Sequence, residues 1–161
     1  MIVADTGPLL RVKELQASEL LVTFAPVVIP HLVALECARY EIDLDSPVFE
    51  VRAAEPPRES LAAIVAEVRT GIIQPAEAEA IAWALHDRAD WLLTDDANAR
   101  ALAQRLGISV HGSLGLVLRN AQVESISKDR AGALLRQLSS GSLWVSGRVL
   151  EEALRLLEDL G

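Results

Sequence analysis

Apolar positions follow two rhythms along this chain. Short, mainly apolar runs at residues 2–4, 27–29, 48–51, 91–94 and 108–110 are bounded by Asp, Pro, Gly or Ser and predict five short strands. Between and after them, apolar residues recur at helical spacing. That spacing predicts helices over residues 9–21, 31–40, 61–68, 75–87, 98–106, 114–120, 129–138 and 148–160. Pro30 and Pro75 stand at helix starts, and Gly107 stands just past a helix end, the positions each residue favours. Asp5-Thr6-Gly7-Pro8 reads as a turn after the first strand, and residues 53–57, with two prolines, read as a loop. Strands alternating with helices, without a hairpin signature, imply an α/β fold with a short central parallel sheet covered by helices. At 161 residues, 1–161 reads as a single domain with no internal repeat.

Composition narrows the possibilities further. With 51% hydrophobic residues the chain has the material for a core, so extensive disorder is not expected. No apolar run approaches the roughly 20 residues needed to cross a bilayer. Met1-Ile2-Val3-Ala4-Asp5 has neither the basic nor the long apolar region of a signal peptide, so a cytoplasmic location is expected. A lone cysteine, Cys37, excludes an internal disulfide and a cysteine zinc cluster. No Gly-rich loop ending in Lys is present, which argues against a nucleotide hydrolase. The net charge of −8 argues against a protein held on nucleic acid by bulk charge. It leaves room for a basic partner, and for carboxylates that hold cations and so reverse the local charge.

In parallel sheets, chemistry collects beyond the carboxyl ends of the strands. Two of the predicted strands end there in acids, at Asp5 and at Asp95-Asp96. Asp5 alone could be a helix cap, and one of Asp95 and Asp96 could cap the following helix. Glu36 lies with Leu32, Val33 and Tyr40 on the most apolar face of its helix. A carboxylate so placed needs an ion pair, a proton or a cation. Glu77 and Glu79 open the Pro75 helix, where acids also complement the helix dipole. On a helical wheel Glu77 flanks Ile81 and Leu85, so it is expected to face the interior, with Glu79 at the rim. Like charges crowded at one sheet edge require protonation or a hard cation, and oxygen-only donors favour Mg²⁺ or Mn²⁺ over zinc. Asp-Thr-Gly also occurs in aspartic proteases, but those are built from β-sheet, which the helical periodicity here excludes.

This constellation resembles the PIN domains, in particular the branch similar to toxin ribonucleases. The motifs are Val3-Ala4-Asp5-Thr6, the Pro30-led helix carrying Glu36, the Glu77-Ala78-Glu79-Ala80-Ile81 run and Thr94-Asp95-Asp96. His111-Gly112-Ser113-Leu114-Gly115 and Leu143-Trp144-Val145-Ser146 are similar to segments of one uncharacterised PIN branch, and the similarity spans nearly the whole chain. The sequence departs from that branch at Ala76, where Gly is often found.

The resemblance implies a three-layer α/β/α fold. It also implies a Mg²⁺- or Mn²⁺-dependent endoribonuclease cleaving single-stranded RNA, often the toxin of a toxin–antitoxin pair and often a homodimer. On that reading Asp5, Glu36, Glu77 and Asp96 are catalytic, and Asp5, Glu36, Glu77, Glu79, Asp95 and Asp96 form the pool of metal ligands. The member used in each adjacent pair stays open. Thr6 and Thr94 would orient the ligands. Arg11 and Lys13 would reach phosphate oxygens, with Arg100 and Arg105 as alternatives. A small antitoxin would bind near the acids, inserting an Arg or Lys in place of the cation. The tryptophans and the C-terminal helix read as core or dimer contacts, and few aromatics are left for stacking bases. The alternatives are a degenerate PIN domain that binds a partner without cleaving, and an aspartyl phosphotransferase of the haloacid dehalogenase type. The latter is disfavoured because Gly7 stands where its second Asp would be.

Overall fold

In the computed structural model, which describes residues 1–160, five strands form one all-parallel sheet. The strands are β1 (Ile2–Ala4), β2 (Val27–Ile29), β3 (Phe49–Val51), β4 (Trp91–Leu93) and β5 (Val110–His111), in the order β3-β2-β1-β4-β5. Ile2 pairs with Val27 on one side and Trp91 on the other, so β1 is the central strand. β1, β2 and β4 are buried along their whole length, as expected for a sheet covered on both faces. The helices are α1 (Thr6–Leu15), α2 (Glu19–Val22), α3 (His31–Arg39), α4 (Arg58–Ala62), α5 (Val65–Arg69), α6 (Pro75–His86), α7 (Ala97–Arg105), α8 (Ser113–Gln122), α9 (Lys128–Ser140) and α10 (Gly147–Asp159). The result is the three-layer α/β/α arrangement, with α6 packed on β1 and β4 and against α3, α4 and α7. Helices α8, α9 and α10 pack together, and α1 reaches α8 and α9. No helix of the described residues is long and apolar enough to cross a membrane.

Three boundaries differ from the sequence expectation, each for a local reason. The helix expected over residues 9–21 starts earlier and breaks in two. Asp5 accepts a hydrogen bond from the Thr6 N–H at 2.7 Å and caps α1, and Pro8 is tolerated in the first turn, where N–H groups lack helical partners. At the other end Gln16 turns left-handed (φ 52) and ends α1. The expected helix over residues 61–68 is likewise two short turns, α4 and α5, hinged at the fully buried Ile64. The fifth strand begins at Val110 rather than Ile108. The Ile108 N–H is used on the Ala103 carbonyl to close α7 through Gly107, whose φ of 80 favours a residue without a side chain.

Candidate functional site

The site starts where β1 ends. The Asp5 N–H still bonds to the Leu93 carbonyl at 2.9 Å, which holds the residue in register at the carboxyl edge of the sheet. Its side chain is 6% exposed, a degree of burial that an unpaired carboxylate reaches only with strong support. Thr6 N–H donates to Oδ1, and the fully buried Thr94 hydroxyl donates to Oδ2 at 2.9 Å. Burial raises the Asp5 carboxyl above its ordinary range against those two donors, and the negative charges of Glu36 and Asp96 push in the same direction.

Glu36 reaches this point from α3. It is partly buried, as its place on the helix predicts, and its Oε2 accepts the Thr6 hydroxyl at 2.5 Å. Thr6 and Thr94 therefore stand on either side of Asp5, tying it to α3 and β4. Asp96 caps α7, with Oδ1 accepting from the Ala99 N–H at 2.8 Å, and its own N–H lies 3.3 Å from the Thr94 hydroxyl. Glu77 caps its own helix by accepting the Gln74 N–H at 2.8 Å. Burial first, and then the charges of Asp96, Asp5 and Glu36, push Glu77 up to about 7. The same field helps raise the thiol of buried Cys37 to about 11; burial is the larger cause, followed by the charges of Glu36 and Asp5. The structure thus brings Asp5, Glu36, Glu77 and Asp96 into one electrostatic unit.

The other two acids are committed to caps. Glu79 is buried, the reverse of the helical-wheel expectation, and its Oε2 accepts the Leu32 N–H at 2.6 Å. It closes the start of α3 instead of joining the four. Asp95 turns towards α8, accepting from the Ser113 N–H at 2.7 Å and the Ser113 hydroxyl at 2.6 Å. Ser113, which sequence reasoning did not single out, is 3% exposed and belongs to this support. Its signal in the sequence was a hydroxyl residue directly after Gly112 at a helix start.

The basic residues expected near phosphate are also placed elsewhere. Arg11 is engaged with Glu14 and Ser142, and Lys13 Nζ donates to the Tyr40 and Glu41 carbonyls at the end of α3. Arg105 pairs with Glu67 at 2.7 Å. Arg100 alone of the four stands beside Asp95. A Cβ added to Gly112 would lie 2.7 Å from Arg100 Nη1 and 2.8 Å from Asp95 Oδ1, so the close approach requires glycine there.

The residues fit a hard divalent cation by their donor chemistry. Six carboxylates supply only oxygen, and among the described residues none of the six forms an ion pair with Lys, Arg or His. Among the described residues no three of them converge on a single ligand position as their side chains stand.

Glu77 sets a pH dependence for the metal-free protein. Its folded value, about 7, lies above its ordinary 4.5, so between those values the folded state holds a proton that the unfolded state has lost. Stability contributed by this group is therefore present below pH 4.5 and lost as pH rises to about 7. Thermal melts in a chelator should show that decline, and Glu77→Gln should flatten it; an unchanged slope in the variant would remove Glu77 as its source.

A family model described as a PIN domain matches residues 1–159. No curated protein and no solved structure matches the chain. The match spans the sheet, the acidic edge and the C-terminal helices alike. The chain belongs to the PIN-domain family, whose members are generally divalent-metal nucleases.

Proposed function

We propose that this protein is a Mg²⁺- or Mn²⁺-dependent endoribonuclease acting on single-stranded RNA in the cytoplasm, as the toxin of a toxin–antitoxin pair. One observation supports the reading most. A buried carboxyl at the end of the central strand is pushed up further by the charges of Glu36 and Asp96, and among the described residues none of the clustered acids forms an ion pair. Structural ion-pair networks look different, because they carry their own arginines.

Asp5, Glu36, Glu77 and Asp96 would hold the cation, with Glu79 and Asp95 left to their helix caps. When bound, the cation supplies water activation and stabilises charge on the phosphodiester oxygens. The chain's own groups do the rest. Thr94 and Thr6 fix the Asp5 and Glu36 oxygens through their hydroxyls, so that two ligands are oriented before any cation arrives. Glu77 keeps one oxygen on the Gln74 N–H, leaving Oε1 for the cation.

A small antitoxin would neutralise the cluster by inserting an Arg or Lys among these acids, and the protein would work as a homodimer. A second reading, a PIN domain that holds a partner without cleaving, is favoured by the geometry noted above, in which no three acids meet at one point.

Incubating the full chain with a labelled single-stranded oligoribonucleotide separates the two. Cleavage should appear with Mn²⁺ or Mg²⁺, vanish in EDTA, and fall about a hundredfold or more in Glu36→Gln, which removes a charge while keeping an acceptor for Thr6. Cleavage that survives EDTA, or is identical in the variant, rejects the metal-nuclease reading.

A further inference from the structure

Beyond the acids, Asp95 also lines a groove of about 300 Å³ between α7, the Gly112 turn and the segment leading into α10. The volume lies at the lower end of ordinary ligand clefts, about 300–1,000 Å³. Arg100 forms one wall, and at its outer rim stands Trp144. This ring is 87% exposed, whereas Trp83 and Trp91 are buried, at 8% and 5%. Leu143 and Val145 on either side are partly buried, so the segment is anchored by its neighbours and displays the indole outward. The indole face is thus open to a stacking partner at the mouth of the groove.

His111 also lines the groove. The His111 ring stands edge-on to Trp91 with centroids 4.9 Å apart. Burial, and then the positive charges of Arg119 and Arg100, hold its imidazole below the usual range, which keeps it uncharged at neutral pH. Arg100 forms no ion pair among the described residues, although Asp95 is close by. Asp95 already spends both oxygens on Ser113. The guanidinium is therefore free to meet an anion at the point where the groove approaches the acidic edge.

We infer that this groove binds a nucleotide of the single-stranded RNA next to the cleaved bond, with its base stacked on Trp144 and its phosphate held by Arg100. The inference rests on the nuclease reading for the identity of the strand, and adds where that strand lies. An exposed π-face and a planar cation that forms no ion pair among the described residues line the same groove, with Asp95 of the acidic edge beside them, and these are the groups that would meet the base and phosphate of a strand entering that edge. Unpaired bases can reach such a ring, whereas bases stacked within a duplex cannot. The chain is strongly acidic overall, so a local cation and a stacking surface are means by which it can hold a polyanion when no metal ion is bound.

The test is fluorescence-anisotropy binding of a labelled ten-nucleotide oligouridylate to the full chain in EDTA at low salt, paired with Mn²⁺ cleavage of the same probe. Trp144→Ala should weaken binding roughly 5- to 100-fold, and Arg100→Ala should weaken it while lowering the salt dependence. Trp144→Phe should retain most of the affinity. The exposed indole should be quenched on binding in the wild type and not in Trp144→Phe. Duplex RNA of the same length should compete poorly.

Unchanged binding in Trp144→Ala, equal competition by duplex, or no binding by the wild type would each overturn the inference. So would a Trp144→Ala variant that binds normally but falls from dimer to monomer, since the ring would then be a contact between copies. Loss of binding in Trp144→Ala together with absent Mn²⁺ cleavage in the wild type would leave the groove standing and reject the nuclease. Normal cleavage with unchanged binding would do the reverse.

Discussion

Asp5→Asn should lose RNA cleavage by about a thousandfold or more, equivalent to ~4 kcal/mol of transition-state stabilisation, while the metal-free protein becomes more stable. The two effects share one cause. Asp5 is buried and surrounded by Glu36 and Asp96, so its ionised form is disfavoured in the folded state and its carboxyl titrates above the ordinary 3.8. For an acid shifted upward, folding stability declines as pH rises from the unfolded value through the folded one. At neutral pH that loss is present, and the uncharged amide removes it. Asn also keeps the local geometry. It is a good helix cap, its carbonyl can accept the Thr6 N–H, and the Thr94 hydroxyl can rotate to accept from its amide. Calorimetry in EDTA should show the melting temperature rising by about 2–8 °C, on the scale of ~1–2 kcal/mol for a chain of this size. Adding Mn²⁺ should stabilise the wild type and leave the variant nearly unaffected. A lower melting temperature in EDTA, or cleavage at the wild-type rate, would refute the linkage.

Asn120→Ala should be the most damaging small substitution outside the acidic edge, costing about 2–4 kcal/mol and lowering the melting temperature by about 4–16 °C. Asn120 on α8 is fully buried and uses its whole amide. Its Nδ2 donates to the Leu20 and Leu116 carbonyls at 3.0 and 2.9 Å, and its Oδ1 accepts from the Thr23 hydroxyl at 3.0 Å and the Ser125 hydroxyl at 2.7 Å. The residue therefore joins α2, α8 and the turn after α8 in one place. Truncation strands the Leu20 carbonyl in the interior and opens a small void beside it. Asn120→Asp tells polarity from volume, because it preserves shape while burying a charge and losing both donors. It should be worse than Ala at pH 7 and recover at low pH, where the carboxyl can donate. If both variants melt like the wild type, the network contributes nothing.

How much of this was legible beforehand depends on how one-sided each element is. The strands were readable because β1, β2 and β4 are short apolar runs stopped by turn residues, and Asp5, Asp95 and Asp96 followed from lying at the ends of two of them. Glu36 was readable because α3 has one apolar side and a carboxylate stands on it. Glu77 joins the cluster as its place on the wheel suggested, but Glu79 was placed at the rim for the opposite reason. Ala76, Ala78, Ala80, Ile81, Ala82, Trp83 and Ala84 are all buried, so α6 is covered around most of its circumference and its sequence offers no polar face to orient a wheel. Only packing against α3 reveals that Glu79 meets Leu32. Asp95 and Asp96 could not be separated for a similar reason. Both can cap, and the choice of α8 for Asp95 depends on Ser113, which lies 18 positions away. The exposure of Trp144 was hidden because an extended segment alternates its side chains, and a bulky apolar residue gives no sign of which side it takes.

The position of β1 in the sheet has a consequence for how the protein comes into being. β1, which ends at Asp5, precedes both of its partners, Val27–Ile29 and Trp91–Leu93, so its ladder stays half-formed until β4 has been synthesised. Thr94 and Asp96 arrive only then, and Ser113, which turns Asp95 aside, arrives later still. Pairings this distant in sequence close slowly. During synthesis the acids therefore stay scattered until β4 and the turn after it have been made, and the cluster gathers only with them.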